Sequence, residues 1–310
     1  MGQTLRQEEE IMKLVTYQLE REQKTRIGVL NQDETWVYPI KSIGVDYSKM
    51  ETLIEEIGES ELQLLEYTSK KEPYGIHGAA PVGEVRLLAP IQYPKQDVIC
   101  LGSNYMAHAE ESARFKQEQF DGKREHAVYF SKRVNKASAD GDPIPGHFDI
   151  VESLDYEAEL AIIIRKEAKN VPPEKVKEYL FGYTIINDVS ARNVQRTHKQ
   201  YYFGKSLDGF LPMGPCITTI DTIPYPPKLS IQSRVNGELR QDSNTGLMIF
   251  TIDHIVSELS RGMTLQAGTI ISTGTPAGVG MGFDPPRFLK AGDVVECTVE
   301  GIGSIKNRVE

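Results

Sequence analysis

The chain is best understood from the segment Asp155-Tyr156-Glu157-Ala158-Glu159-Leu160-Ala161-Ile162-Ile163-Ile164, which ends in an aliphatic, β-branched run. Such a run predicts a strand that enters a hydrophobic core. Because successive side chains of a strand point to opposite faces, Asp155, Glu157 and Glu159 share one face. Carboxylates paired in this way indicate either a solvated strand end, which is the commoner case for charged side chains, or a cation site.

A third carboxylate favours the cation site. The apolar run from Phe181 to Asn187 predicts a second strand, and Asp188 follows it. Between the two strands, Pro172-Pro173 and the residues up to Leu180 predict a helix with proline in its first turn. A strand, helix, strand unit can bring Asp188 beside Glu157 and Glu159. Three converging carboxylates repel one another unless a cation lies among them, and an all-oxygen set suits Mg²⁺, Mn²⁺ or Ca²⁺ rather than zinc.

Composition limits the class of protein. The 310 residues carry a formal net charge of -9, which argues against nucleic acid as a main partner, because phosphate binding requires a basic surface. Cys100, Cys216 and Cys297 are far apart and lie in apolar runs, a pattern typical of buried thiols in a reducing compartment. The polar N-terminus lacks the features of a signal peptide, and no apolar run is long enough to span a bilayer. We therefore expect a cytoplasmic protein without a membrane partner.

The chain is expected to divide into three parts. Residues 1–11 are predicted to be a tail, and residues 12–84 a small N-terminal α/β module that ends in a Pro- and Gly-rich linker. Residues 85–310 are predicted to be the main domain, whose last third is mainly β. The predicted fold class is thus α+β, mainly β.

Further polar side chains are candidates for chemistry. His108 and Glu111 stand three residues apart on a predicted helix over 105–111, so they are neighbours that can act as a base and its orienting acid. An exposed charged pair is the commoner reading of this spacing. Residues 112–127 are polar and aperiodic, which predicts a mobile loop. The glycines of residues 273–282 do not form a nucleotide loop, because no Gly-Lys-Ser/Thr follows; they predict a tight loop whose amides face a ligand.

Arg192 and Gln195 lie three residues apart on a predicted helical turn that follows Asp188. Arg192 is suited to binding a substrate carboxylate, and a structural salt bridge is an equally good reading. Lys205 lies in a glycine-bearing segment, where a lysine is ordinarily exposed.

Over residues 95–305 the sequence resembles the fumarylacetoacetate hydrolase superfamily. The matching segments occur in the order typical of the superfamily, and they are Gly102-Ser103-Asn104-Tyr105 with His108 and Glu111, Leu154 to Leu160, Gly182-Tyr183-Thr184, Asn187 to Arg192 with Gln195, Gly204 to Asp208, Met213-Gly214-Pro215, Val235-Asn236-Gly237 and Thr273 to Gly280. The pattern, which includes Phe130-Ser131-Lys132, is similar to the bacillar YisK-type branch, which is associated with oxaloacetate decarboxylation.

The resemblance implies roles for individual residues. Glu157, Glu159 and Asp188 would be the Mg²⁺ or Mn²⁺ ligands. His108 and Glu111 would be a water-activating dyad on a lid helix. Lys205 would be a further catalytic residue, and the substrate contacts would include Arg192, Gln195 and Thr275.

The resemblance also implies a fold, an activity and partners. The fold would be a mixed β-roll or β-sandwich catalytic domain with a small N-terminal module, assembled as a homodimer. The activity would be cleavage of a C–C bond in a 2-oxo or 2,4-dioxo acid through a metal-stabilised pyruvate enolate, with oxaloacetate decarboxylation favoured. Alternatives are acylpyruvate or fumarylacetoacetate-type hydrolysis, 2-hydroxyhepta-2,4-diene-1,7-dioate isomerisation, and a metal-binding interaction module without catalysis.

Overall fold

The computed structural model describes residues 11–20, 22 and 24–310. The strands are β1 (Lys13–Leu19), β2 (Arg26–Leu30), β3 (Trp36–Pro39), β4 (Ala80–Pro81), β5 (Val85–Leu88), β6 (Val98–Gly102), β7 (Val128–Lys132), β8 (Leu154–Asp155), β9 (Ala158–Ile164), β10 (Leu180–Asn187), β11 (Ser190–Ala191), β12 (Met213–Thr219), β13 (Ser230–Val235), β14 (Glu238–Asn244), β15 (Ile270–Ser272), β16 (Val294–Val299) and β17 (Gly303–Arg308).

The helices lie between and around these strands. The α-helices are α1 (Ile40–Ile43), α2 (Met50–Glu56), α3 (Glu59–Ser69), α4 (Met106–Lys116), α5 (Arg192–His198), α6 (Tyr201–Lys205) and α7 (Ile252–Gly262). Short 3₁₀ helices span Val82–Glu84, Pro173–Tyr179, Ile220–Thr222, Thr245–Leu247 and Gly280–Gly282. The α+β, mainly β fold class predicted from the sequence is confirmed.

The strands of the described residues form three sheets. The largest has eleven strands, in the order β4-β3-β2-β1-β12-β10-β9-β15-β6-β7, with β5 also paired to β1. It is mixed, because β15 and β6 run parallel whereas β9, β10 and β12 are joined by antiparallel pairs. A four-stranded sheet has the order β14-β13-β16-β17, and β8 pairs with β11.

Strand β9 is buried along its whole length, and its side chains alternate between two cores. Leu160, Ile162 and Ile164 belong to one hydrophobic cluster, whereas Ala161 and Ile163 belong to the other. This two-fold alternation explains why the aliphatic run is continuous: a strand covered on both faces needs apolar side chains at every position. The sheet therefore forms a rigid support for the acidic residues at the end of β9.

The predicted strand over residues 155–164 is interrupted, because Tyr156 and Glu157 lie between β8 and β9. The side chain of Asn187 replaces the missing ladder partner, since its Oδ1 accepts a hydrogen bond from the Glu157 amide at 3.0 Å. The Asp188 amide donates to the Glu157 carbonyl at 2.8 Å. These bonds hold the ends of β9 and β10 together.

Two helices differ from their predicted bounds. Helix α4 continues to Lys116, so the first residues of the loop predicted over 112–127 are helical. The predicted helical turn after Asp188 begins at Arg192, because Ser190 and Ala191 form strand β11. The helix predicted after Pro172 is present as the 3₁₀ helix Pro173–Tyr179.

The N-terminal strands join the main sheet, since β1 pairs with both β12 and β5. The boundary expected between residues 84 and 85 stays a prediction. The expected tail lies outside the described residues, apart from its last residue. All three cysteines are free and buried, as expected. A helix that could cross a membrane is not found in the described part of the chain.

Candidate functional site

Three buried carboxylates meet where β9 and β10 lie side by side. Glu159 pairs with Ile186 across the two strands, Glu157 precedes β9, and Asp188 follows β10. One carboxylate oxygen from each of the three residues lies within 4.8 Å of the others. The convergence predicted from sequence spacing is therefore found, and these are hard oxygen donors of the kind that bind Mg²⁺ or Mn²⁺.

Glu159 shows that the cluster fits a cation. Its Oε2 accepts hydrogen bonds from the Ser272 hydroxyl at 2.6 Å and the Gly274 amide at 2.9 Å, which fix the side chain. Burial, together with the negative charges of Asp188 and Glu157, raises the pKa of Glu159 well above its ordinary value. A divalent ion among the three carboxylates would remove this repulsion.

Two cationic side chains approach the same cluster. Lys205 Nζ lies 2.6 Å from Glu157 Oε2 and also contacts Asp188 Oδ2. Arg192 Nη2 lies 2.6 Å from Glu157 Oε1, a distance typical of an ion pair, although the angles are not those of a hydrogen bond. Burial alone would raise the pKa of Glu157, but Lys205 and Arg192 outweigh it and hold that pKa below its ordinary value. Glu157 is thus kept ionised.

Lys132 is a buried partner of the cluster that the sequence analysis did not include among the site residues. Its Nζ lies 2.7 Å from Asp188 Oδ1 and donates to the Val189 carbonyl at 3.0 Å. Burial lowers the pKa of Lys132, and the Asp188 carboxylate opposes that shift. The available sequence signal was its place at the end of the segment Phe130-Ser131-Lys132, in the region of family resemblance.

Asp155 has a role different from that of the other acids in its segment. It is fully buried, and its Oδ2 accepts a hydrogen bond from Arg192 Nε at 2.9 Å. The amides of Gly280 and Met281 donate to the same carboxylate at 2.6 and 3.1 Å. Asp155 therefore connects the glycine-rich loop to Arg192 and orients the guanidinium toward Glu157.

His108 and Glu111 form a pair on the inner side of α4. His108 Nδ1 lies 3.4 Å from Glu111 Oε2, and the Gly278 amide donates to Glu111 Oε1 at 2.8 Å. His108 is only 4 % exposed, so the alternative reading as a solvated pair does not apply. With Nδ1 facing the carboxylate, the other ring nitrogen of His108 is available to a ligand.

A cavity of about 610 Å³ opens onto the cluster, and its lining includes His108, Glu157, Arg192, Gln195, Lys205 and Thr275. Gln195 is buried, and its Nε2 has no hydrogen-bond partner among the described residues, as expected for a group that awaits a ligand. The Thr275 hydroxyl is already engaged, because it donates to the Ala158 carbonyl at 3.0 Å and accepts from Gln241 Nε2 at 2.7 Å.

The comparisons with known proteins agree with this geometry. Residues 97–310 match the family model described as "Fumarylacetoacetate (FAA) hydrolase C-terminal". The chain belongs to the fumarylacetoacetate hydrolase family. The buried cluster of Glu157, Glu159 and Asp188 has oxygen donors of the kind that divalent metal ions bind.

Three relatives indicate the range of this family. The chain is 43% identical over 228 residues to oxaloacetate tautomerase YisK of Bacillus subtilis, a match that covers 74% of each protein. A fumarylacetoacetate hydrolase from Exiguobacterium antarcticum has a TM-score of 0.77 and 38% identity, covering 96% of this chain and 99% of that one. Maleylpyruvate hydrolase from Sphingobium sp. SYK-6, in complex with manganese(II) and pyruvate, has a TM-score of 0.74 and 28% identity, covering 96% and 98%.

The predicted site residues are thus neighbours in this family fold, while their individual roles stay predictions. The structure adds Lys132 and Asp155 to them.

Proposed function

We propose that the protein is an Mg²⁺- or Mn²⁺-dependent enzyme that acts on 2-oxo acids, with decarboxylation of oxaloacetate as its favoured reaction. The observation that carries the proposal is the cluster of Glu157, Glu159 and Asp188, whose carboxylates converge beside the cavity. The relative named as an oxaloacetate tautomerase supports oxaloacetate as the substrate, and the manganese- and pyruvate-bound relative supports the metal and the 2-oxo acid class.

The metal ion would be held by Glu157, Glu159 and Asp188. When bound, it supplies positive charge that stabilises negative charge developing on the 2-oxo acid during the reaction. Arg192 and Gln195 line the cavity with donors that suit the substrate carboxylate. The Lys205 ammonium adds a further positive charge beside Glu157 and Asp188.

Decarboxylation then breaks the bond between C3 and C4 of oxaloacetate. The electron pair of that bond passes toward C3 and the keto oxygen, CO₂ leaves, and C3 later receives a proton. His108, oriented by Glu111, is the side chain available to deliver this proton. Tautomerisation of oxaloacetate would instead remove a proton from C3 to give the enolate of oxaloacetate itself, with the C3–C4 bond intact, and then protonate its oxygen, or run in the reverse direction.

Hydrolysis of an acylpyruvate or fumarylacetoacetate-type substrate is the second candidate. The specific observation in its favour is the fixed position of Glu111, which contacts both His108 and the Gly278 amide and so suits a dyad that activates water. Isomerisation of a 2-hydroxyhepta-2,4-diene-1,7-dioate requires similar proton transfers. A metal-binding interaction module without turnover is the alternative outside enzymes.

We further propose that the protein is a cytoplasmic homodimer without nucleic-acid or membrane partners. Light scattering of the purified protein measures its molar mass and so tests the dimer.

A turnover assay with Mn²⁺ distinguishes decarboxylation, tautomerisation, hydrolysis and the absence of catalysis. Oxaloacetate, acetylpyruvate and fumarylpyruvate are supplied in turn, and CO₂, pyruvate and the keto and enol forms are quantified against Mn²⁺ without protein. We expect CO₂ and pyruvate from oxaloacetate at rates above the metal-only reaction. Glu159→Gln should lose most of this activity together with Mn²⁺ affinity.

Glu178→Gln is the matched control, because Glu178 is exposed on the 3₁₀ helix Pro173–Tyr179, and it should behave as wild type. Interconversion of keto and enol forms without CO₂ would assign tautomerisation, and cleavage of acetylpyruvate alone would assign hydrolysis. Full activity of Glu159→Gln, or no turnover of any of these substrates, would refute the proposed metal enzyme.

A further inference from the structure

The backbone of Gly278, in the glycine-rich loop, is held by side chains at both of its polar groups. Its amide donates to Glu111 Oε1 at 2.8 Å, and its carbonyl accepts from the Tyr156 hydroxyl at 2.8 Å. Neither group bonds to another backbone group within the described part of the chain. The position of the amide that meets Glu111 therefore depends on side chains rather than on the hydrogen bonds of a helix or strand.

Strand β14 approaches Gly278 so closely that no side chain fits there. Gly278 has a φ of +103°, which favours glycine, and a β-carbon on it would lie 2.0 Å from the Arg240 carbonyl oxygen. The side chain of Gln241, the next residue of β14, donates to the Thr275 hydroxyl at 2.7 Å. The loop is thus packed against β14, and the Tyr156 hydroxyl sets the direction of the Gly278 carbonyl.

Tyr156 is a rigid point from which to hold this loop. It lies between Asp155 and Glu157, in the interruption that separates β8 from β9, and its side chain is fully buried in a hydrophobic cluster. Burial raises the pKa of Tyr156, and the Asp155 carboxylate raises it further, although Arg240 opposes the shift. The phenol is therefore a neutral donor to the Gly278 carbonyl at neutral pH.

These contacts form a continuous path from the core to the catalytic pair. The Tyr156 hydroxyl fixes Gly278, whose amide binds Oε1 of Glu111. Oε2 of the same carboxylate faces His108 Nδ1 at 3.4 Å. A contact of this length is near the upper limit for a hydrogen bond, so a small displacement of Glu111 breaks it. Among the described residues the cavity lining does not include Tyr156, so its hydroxyl influences a ligand only through this path.

We propose that Tyr156 is a positioning residue, which holds Glu111 against His108 through the backbone of Gly278. This inference rests on the proposed function, because it requires His108 to take part in the reaction. Loss of the hydroxyl leaves the Gly278 carbonyl without its donor, and the amide of the same residue then no longer fixes Glu111. The effect falls on kcat rather than on binding, since the acidic cluster and the donors of α5 are unchanged.

Tyr156→Phe removes only the hydroxyl, and Tyr183→Phe is the matched control. Both tyrosines are fully buried in the same hydrophobic cluster, but the Tyr183 hydroxyl has no hydrogen-bond partner among the described residues. Because the aromatic ring is kept, both variants should fold, which thermal unfolding checks. With Mn²⁺ and a substrate that wild type turns over, Tyr156→Phe should lower kcat by about tenfold at an unchanged KM. Tyr183→Phe should match wild type.

A double-mutant cycle with Glu111→Ala distinguishes positioning from a general loss of structure. Because Tyr156 acts through Glu111, Tyr156→Phe should change kcat by less than about twofold in the Glu111→Ala protein. An equal loss of kcat in both backgrounds, or wild-type kcat in Tyr156→Phe alone, would overturn the inference.

The imidazole nitrogens of His108 give a readout that needs no turnover. Their NMR signals in the presence of Mg²⁺, assigned with His108→Ala, report the contact between Nδ1 and Glu111. We expect Tyr156→Phe to move the Nδ1 signal toward its position in Glu111→Ala, and Tyr183→Phe to leave it in place. An unmoved signal in Tyr156→Phe would overturn the inference. Absence of turnover in wild type together with a moved signal would overturn the proposed function and support the positioning of the pair by Tyr156.

Discussion

At the scale of single residues, the site consists of buried charged side chains, and each is stabilised by the opposite charge of a neighbour because water does not reach it. Asp188 contacts Lys132 and Lys205, and Arg192 joins Asp155 to Glu157. Removing one member of a buried ion pair leaves the other uncompensated, which is far more costly than losing an exposed pair. Substitutions here therefore test positioning and stability together.

Asp155→Asn should weaken both the fold and the reaction. The neutral amide no longer balances Arg192, so we expect a loss of about 3 kcal/mol in the free energy of unfolding. Since Arg192 is less well oriented, kcat/KM should fall by about tenfold or more. Urea unfolding and steady-state kinetics measure the two effects. Asp242→Asn is the control, because Asp242 is exposed and bonded to Gln232; equal behaviour of the two variants would contradict the role of Asp155.

His108→Ala should lower kcat for decarboxylation, tautomerisation or hydrolysis by about 100-fold, the usual contribution of a general acid or base. The measurement is kcat with saturating Mn²⁺ for oxaloacetate and acetylpyruvate. A variant that decarboxylates normally while hydrolysis stops would restrict the histidine to water activation.

Residue patterns predicted the acidic cluster but not all of its partners. The convergence of Glu157, Glu159 and Asp188 could be predicted from the sequence, because strand alternation and the β9–β10 connection bring the three residues together. Lys132 was missed, since a lysine at a strand end is ordinarily exposed and only the fold shows it to be buried. Asp155 shares the sequence pattern of the glutamates, and only the contacts of the glycine-rich loop distinguish its role.

At the scale of elements, the loop that contains the 3₁₀ helix Gly280–Gly282 packs against α4. The Gly278 amide bonds to Glu111, and a β-carbon at Gly282 would lie 2.5 Å from the Glu111 carboxyl carbon. The absence of a side chain at Gly282 therefore sets the position of Glu111 beside His108. The sequence predicted that amides of this loop face a ligand, whereas those of Gly278, Gly280 and Met281 bind carboxylates of the protein itself.

Gly282→Ala should displace Glu111 and leave the fold intact. The atoms in its way are the end of a flexible side chain, so we expect a stability change of less than about 1 kcal/mol. Because His108 loses its orienting partner, kcat should fall by roughly tenfold. Gly83→Ala, where a β-carbon meets nothing within 4 Å, is the matched control. Unchanged kcat in Gly282→Ala would show that the position of Glu111 does not matter for the reaction.

Element boundaries were harder to predict than element types. The end of α4 depends on Gln117, which takes a left-handed conformation (φ 59°) that the sequence does not signal. The break before β9 depends on Asn187, whose side chain lies 30 positions from Glu157 in sequence and substitutes for a backbone partner. Local sequence periodicity cannot predict such long-range hydrogen bonds.

At the scale of the whole molecule, the large sheet links the N-terminal strands to the site, since β1 pairs with β12 and β12 pairs with β10. The order of strands along the sequence does not predict a mixed sheet of this kind, whereas the sequence did predict the α+β class. The three carboxylates lie in the middle of the sheet path, so ion binding should stabilise the entire fold.

Addition of Mn²⁺ at about 100 times its dissociation constant should stabilise the protein by about 2.7 kcal/mol and raise Tm by about 4 °C. Thermal unfolding followed by circular dichroism, with EDTA-treated protein as reference, measures the shift. Glu159→Gln should lose the increment and Glu178→Gln should keep it. An equal shift in Glu159→Gln would indicate that Mn²⁺ acts elsewhere on the molecule.

We expect Glu157, Glu159 and Asp188 to bind one divalent ion together. A crystal of the protein grown with Mn²⁺, with data collected for the anomalous signal of manganese, tests it directly. We predict one strong anomalous peak at about 2.0–2.3 Å from a carboxylate oxygen of each residue. No peak between these oxygens, or a peak bound by other residues while the three carboxylates keep only their lysine and arginine partners, would contradict metal binding by Glu157, Glu159 and Asp188.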